Sequence, residues 1–389
     1  MFERARFIYE VSRAEQSVAE LCRQHGVSRK TAYKWLGRYE EKGYGALEDR
    51  PRVAQRRPHA VVPEMAQVLV QARREHPTWG PKKLLALLER QQPGRKLPAA
   101  STVGEVLKRE GLVQPRRRRP KQPGARPGLT QEVGPNDVWC ADFKGHFCLG
   151  DGQRCHPLTV TDNASRMLLL CQGLERPSEE GCRKYFERLF REYGLPGVLR
   201  TDNGTPFSSN ALCGLSRLSI WWVRLGIRPE RIEPGKPQQN GRHERMHRTL
   251  KQETAWPPKA SMRAQQRAFD AFRSEYNQVR PHEALAMRTP ASLYAPSPRP
   301  FPSKLPELVY PSGYEVRRVT NRGTLKLLGR AIFISECLVG EALGLEPVDD
   351  GRWALHFGSL LLGEVHAQDW KLHSLAELLA RSLRDAEMA

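Results

Sequence analysis

The segment 114–130, Q-P-R-R-R-R-P-K-Q-P-G-A-R-P-G-L-T, sets the strongest limit on how this chain folds. Proline and glycine interrupt any helical or strand register within it, and the run Arg116, Arg117, Arg118 and Arg119 repels itself. No core element can be built from such a stretch. It therefore reads as a linker able to lie along a polyanion, and the 389-residue chain must form separate cores on either side of it.

Charge differs across that divide. Residues 1–130 carry 28 Lys and Arg against 13 Asp and Glu, residues 300–389 carry 10 against 12, and the whole chain has a formal charge of +20. A lopsided basic half favours nucleic acid, because cations that neutralise phosphates release condensed counterions. An anionic membrane would also attract it, but there is no amphipathic basic helix or lipidation motif. No apolar run reaches transmembrane length and Met1 is not followed by a signal-peptide core, so a cytosolic protein with no membrane partner is expected. The eight cysteines form no C-x-x-C pair and read as reduced packing residues. His146, Cys148, Cys155 and His156 are the nearest approach to a zinc group, without the usual ligand spacing.

Before the linker the grammar is helical. In S-V-A-E-L-C-R-Q-H-G-V-S-R-K-T-A-Y-K-W-L (17–36), Gly26 marks a sharp turn and Ser28 caps the following helix. With Val27, Thr31 and Leu36 inward, Arg29, Lys30, Tyr33 and Lys34 face out towards a major groove, giving a helix-turn-helix domain over 1–52. A second unit of the same kind is expected over 60–113, with helices at 64–75, from Pro81, and from Ser101 and Thr102 to Gly111.

After the linker the pattern becomes α/β. Strands are expected at 138–143, 157–162, 167–171 and 198–204, the first with half-buried alternation, and helices at 178–192, 209–225, 241–254 and 262–278. That order predicts an RNase H-like catalytic core with a mixed sheet over 131–295. Pro296, Pro298, Pro300 and Pro302 mark a boundary. A small β-barrel over 307–370 and a terminal helix over 371–389 are expected beyond it.

Three carboxylates stand out within this core. Asp142 lies in the strand W-C-A-D-F, Asp202 follows a strand in T-D-N-G, and Glu244 opens a helix in P-Q-Q-N-G-R-H-E-R-M-H. Magnesium prefers oxygen ligands, and two ions a few Å apart activate the attacking oxygen and stabilise the leaving oxygen of a phosphodiester. Carboxylates from separate strands and a helix can converge to hold such ions. H-E-R-M-H (243–247) also matches the H-E-x-x-H zinc-protease pattern, with Glu244 as general base. Arg242, Arg245, Arg248 and Lys251 make the helix too basic for the buried apolar helix a protease needs.

W-x-x-D-F at 139–143, T-D-N-G at 201–204 and P-Q-Q-N-G-R-H-E at 237–244 resemble the integrase core of bacterial insertion-sequence transposases, a group similar to retroviral integrases. Y-N-x-x-R-P-H-E-A-L at 276–285 and T-P at 289–290 extend the match. The resemblance implies an Asp-Asp-Glu triad of Asp142, Asp202 and Glu244 that holds two Mg²⁺ ions, with Mn²⁺ as substitute. It implies cleavage at element ends, transfer of the freed 3′-OH to target DNA, and a dimer or larger assembly that brings two ends together. The spacing from Asp202 to Glu244 exceeds the family's usual one, with the extra length expected in a longer helix within 216–227. Glu233 is the nearest alternative third carboxylate. His247 and Lys251, three and seven residues after Glu244, are expected on its face and near phosphates. The rival function is a DNA-binding regulator with an inactive core, for which three converging carboxylates have no use.

Overall fold

The computed structural model describes residues 2–49, 61–113, 128–375 and 377–378. Arg116–Arg119 and most of the expected linker lie outside the described residues. Two compact units make up the chain, residues 1–62 and 63–389.

The first unit contains α1 (Phe2–Ser12), α2 (Val18–Gln24) and α3 (Arg29–Lys42) around a core of Phe7, Ile8, Leu21, Cys22, Ala32 and Leu47. Ser17 and Glu20 form a reciprocal capping box on α2. Ser28 caps α3 by accepting the Thr31 N–H at 3.2 Å. Gly26, at φ 62°, takes the left-handed turn between them that a side chain would resist. Ala32 faces inward while Arg29, Lys30, Tyr33 and Lys34 are exposed, as the helix-turn-helix reading expects.

The second unit opens with α4 (Pro63–Glu75), α5 (Pro81–Gln91) and α6 (Ala100–Arg109). Pro81 sits in the first turn of α5, where its missing N–H leaves no helical bond unmade. The α/β region follows as β1 (Val138–Phe143), β2 (Phe147–Cys148), β3 (Arg154–Asp162), β4 (Leu168–Leu174), α7 (Glu179–Tyr193), β5 (Val198–Thr201), α8 (Arg217–Arg224), β6 (Arg228–Arg231), α9 (Gly241–Leu250) and α10 (Met262–Gln278). Strand order is β4-β3-β1-β5-β6, with β2 beside the start of β3. The first three pair antiparallel, whereas β1–β5 and β5–β6 are parallel, so the sheet is mixed.

Helices cover both faces. Trp139, Ala141, Leu158, Val160 and Leu199 pack on one side against Phe186 and Phe190 of α7 and Trp222 of α8. Leu168 and Cys171 pack on the other against Met246 and Leu250 of α9 and Phe269, Phe272 and Tyr276 of α10. This double cover is why β1 is buried for its first four residues instead of half-buried in alternation. The helical front of this unit is fastened to the same region. His76 Nδ1 lies 2.9 Å from Glu275, and the Arg280 guanidinium rests 5.7 Å from the Trp79 ring while pairing with Glu253 at 2.8 Å.

The helix expected over 209–225 is shorter. Leu212–Gly214 form only a 3-10 turn, and α8 spans two turns. No lengthened helix is formed within 216–227, and 203–216 is largely irregular. Leu215, Ile220 and Val223 from this region join the core of the tail. That tail holds β7 (Glu315–Arg318), β8 (Thr324–Leu327), β9 (Arg330–Phe333), β10 (Ala342–Asp349), β11 (Arg352–Phe357), β12 (Leu360–His366) and β13 (Lys371–Ser374). The expected barrel is not closed: pairing runs β13-β12-β11-β10-β7 in one open sheet, with β8 and β9 a separate hairpin. Residues 371–374, expected as the start of a helix, pair as a strand with β12. The rest of that expected helix lies almost wholly outside the described residues.

Candidate active site

The site forms where two parallel strands end side by side. In the β1–β5 register Ala141 sits opposite Thr201, so Asp142 and Asp202 are the next pair along, on strands about 4.8 Å apart. Trp139 and Ala141 point into the α7/α8 core, which turns Asp142 to the opposite face, towards α9. Trp139 fixes the strand by burying its ring and donating its indole N–H to Asn136 Oδ1 at 3.1 Å.

Local sequence shapes each carboxylate's surroundings. The Gly204 N–H donates to Asp202 Oδ1 at 3.1 Å. A Cβ on Gly204 would stand 3.1 Å from Asp202 Oδ2 and would press the carboxylate to shift. The Asn203 side-chain amide donates to the Ile232 carbonyl at 2.8 Å, tying the turn after β5 to the end of β6. Glu244 lies in the first turn of α9, exposed, and among the described residues no ion pair engages it.

Burial, then the Asp202 and Glu244 charges, push the Asp142 carboxyl up to about 7, and the Phe143 backbone and Lys144 offset this only in part. Glu233 does not share that field. It is held in its loop by Lys236 and by the Gln239 amide, which donates to it at 2.6 Å. Carboxylate oxygens are the hard donors that a divalent ion such as magnesium prefers.

A layer of histidine and threonine backs the carboxylates. Thr159, opposite Asp142 in the β1–β3 register, has its Oγ1 2.7 Å from His243 Nε2 and 2.6 Å from His247 Nε2. Thr161 Oγ1 lies 2.8 Å from His243 Nδ1. Burial lowers His243 to about 3 and, with His243 and Lys144, holds His247 well below its ordinary value, so both rings are neutral. The expectation that His247 reaches a phosphate from an open helix face does not hold. The residue is 4% exposed and faces the sheet, because His243, Met246, His247 and Leu250 form the inward stripe of α9. That i, i+3, i+4, i+7 stripe is visible in the sequence, and a reading weighted towards charge misses it. Lys251 is exposed, in the π turn that follows α9.

The four-residue zinc group is not assembled. Cys155 is buried in the core beside Cys171 while Cys148 is exposed on β2. Among the described residues, one group could hold a metal through His, Cys, Asp and Glu atoms within 4.8 Å of one another: Asp142, His243 and His247. The motif over 276–285 is structural. Asn277 binds both the N–H and the C=O of Leu168, at 2.8 and 2.9 Å, and so pins α10 to β4.

Known proteins match this arrangement. Models of the integrase core domain match residues 132–237 and 225–290. A helix-turn-helix domain model matches residues 3–58, and a homeodomain-like model matches 31–107. The chain is 30% identical over 249 residues to an insertion element IS476 protein of Xanthomonas euvesicatoria, covering 61% of this chain and 68% of that one. It is 29% identical over 238 residues to an insertion element IS407 protein of Burkholderia multivorans, covering 59% and 80%. An insertion element IS2A protein of Escherichia coli is 28% identical over 233 residues, covering 56% and 52%. With helix-turn-helix DNA-binding domains before an integrase core, the chain belongs to the insertion-sequence transposases of the integrase superfamily.

Proposed function

We propose that this transposase binds the terminal inverted repeats of an insertion sequence, cuts at the element ends and joins the freed 3′-OH ends to target DNA. What supports the reading is the β1–β5 register, in which Asp142 and Asp202 follow one another side by side at the strand ends, with Glu244 in the first turn of the helix that covers that face. Asp142, Asp202 and Glu244 would hold two Mg²⁺ ions, or Mn²⁺, which when bound supply charge stabilisation to the oxygens of the phosphodiester.

The chain's own residues do the positioning. Gly204 aims the Asp202 carboxylate, while Thr159 and Thr161 anchor the inner face of α9 and so hold Glu244 at the mouth of the site. In the first reaction water attacks an end phosphodiester, leaving a 3′-OH and a 5′-phosphate. In the second that hydroxyl attacks a target phosphodiester and a target 3′-OH departs, so the number of phosphodiester bonds is conserved. Arg29, Lys30, Tyr33 and Lys34 would meet the repeat at its major groove, with Lys30 and Lys34 against the phosphates that line it. Arg116–Arg119 and Lys251 would contact backbone phosphates. Two ends must be brought together, which calls for a dimer or larger assembly. A chromosomal substrate puts the action at the nucleoid.

Incubating the protein with a labelled element-end duplex and Mg²⁺ tests this. Nicking at the end, followed by joined product, is expected, and Asp202→Ala should abolish both while still binding the duplex. Binding without nicking by the wild type would favour a regulator instead.

A further inference from the structure

The Thr159 hydroxyl has one proton to give and two lone pairs to fill, yet three groups compete for it. They are His243 Nε2 at 2.7 Å, His247 Nε2 at 2.6 Å and the Asp142 carbonyl at 3.2 Å. One arrangement uses every site. The hydroxyl donates to the Asp142 carbonyl and accepts an N–H from each imidazole, and His243 Nδ1 accepts the Thr161 hydroxyl proton across 2.8 Å. Both nitrogens of His243 are then occupied. His247 is left with a bare lone pair on Nδ1, and that atom faces Asp142 Oδ2 at 3.7 Å.

A lone pair 3.7 Å from a carboxylate oxygen repels it unless a proton or a metal cation lies between, and Asp142, His243 and His247 are grouped closely enough to hold a metal. Two bonds of about 2.1 Å each span the 3.7 Å gap at a bent angle. An imidazole whose far N–H is given to a fixed acceptor is the usual arrangement of a metal-ligating histidine. We propose that His247 is a ligand of the cation that Asp142 holds, which makes this a mixed imidazole–carboxylate centre and not an all-oxygen one. The proposal rests on the reading of Asp142 as a metal-holding residue. Imidazole suits later first-row ions better than magnesium, so the centre should favour Mn²⁺ over Mg²⁺ more than carboxylates alone would.

Pulsed electron paramagnetic resonance of the full-length protein loaded with Mn²⁺ reads the ligand directly. Directly bound imidazole gives ¹⁴N modulation, which ¹⁵N-histidine labelling of the unmutated protein should convert to the ¹⁵N pattern. His247→Asn should lose the modulation while still binding Mn²⁺, about tenfold more weakly. Thr159→Val, which leaves His247 in place, should keep it. Stoichiometric Mn²⁺ without nitrogen modulation in the wild type, or modulation that persists in His247→Asn, overturns the proposal and leaves the carboxylate reading intact. No bound Mn²⁺ at all overturns both.

Discussion

At the scale of single residues the site is built on discomfort. Asp142 titrates near 7 in the folded chain, against about 3.9 for an unperturbed aspartate. A carboxyl raised on folding adds stability while it is protonated in both states, below the unfolded value. That contribution fades as pH climbs from about 4 through 7. Metal-free wild type should therefore lose stability across that window. Asp142→Asn should lose less and at pH 8 be the more stable protein by about 2–4 kcal/mol, measured by denaturant unfolding. Adding Mg²⁺ at pH 8 should raise the Tm of the wild type and leave Asp142→Asn nearly unmoved, because only the former gains a site. Each carboxylate alone reads as a turn or cap residue; three in this order, each within its own motif, are what make them legible in the sequence. Their backing is not. Thr159 and Thr161 look like ordinary strand residues until β3 is paired with β1 and covered by α9.

At the scale of elements, α9 is seated on the sheet by Thr159 and Thr161 of β3. The positive charge of Arg242, Arg245, Arg248 and Lys251 suggests an open helix, but charge describes the outer face only. The inner stripe of His243, Met246, His247 and Leu250 decides where α9 sits. The same stripe explains why H-E-R-M-H is no protease motif here, since Thr159 and Thr161 occupy both nitrogens of His243. On α10, Asn277 answers the backbone of Leu168 with two hydrogen bonds in a buried setting. Asn277→Ala would leave that N–H and C=O without this partner and should lower stability by about 2–4 kcal/mol. Chemical denaturation measures it, and a change below about 0.5 kcal/mol would show that Asn277 does not fasten the helix.

At the scale of the whole molecule, the order of the chain is readable and its closure is not. Helical units, a proline- and arginine-rich break and a mixed-sheet core follow from periodicity and punctuation. Tail strands such as A-L-G-L-E-P-V-D mix glycine, proline and charge into their alternation. Partner pairing, which decides between barrel and open sheet, is a long-range property that no local pattern carries. The basic front half belongs to this scale too. Lys30→Gln with Lys34→Gln should weaken binding to an element-end duplex and reduce the slope of log affinity against log salt by about 2, at about 0.9 for each phosphate no longer neutralised. An unchanged slope would mean that α3 does not meet the backbone. The proposed cutting would require that Glu244 complete the set begun by Asp142 and Asp202. Nicking of a labelled end duplex by Glu244→Gln and Glu233→Gln, with DNA binding measured in parallel, decides whether it does. Glu244→Gln should bind normally and cut at least about 10³-fold more slowly, as expected when a group acting on the transition state is removed, while Glu233→Gln cuts like the wild type. Normal cutting by Glu244→Gln would remove Glu244 from the metal-holding set.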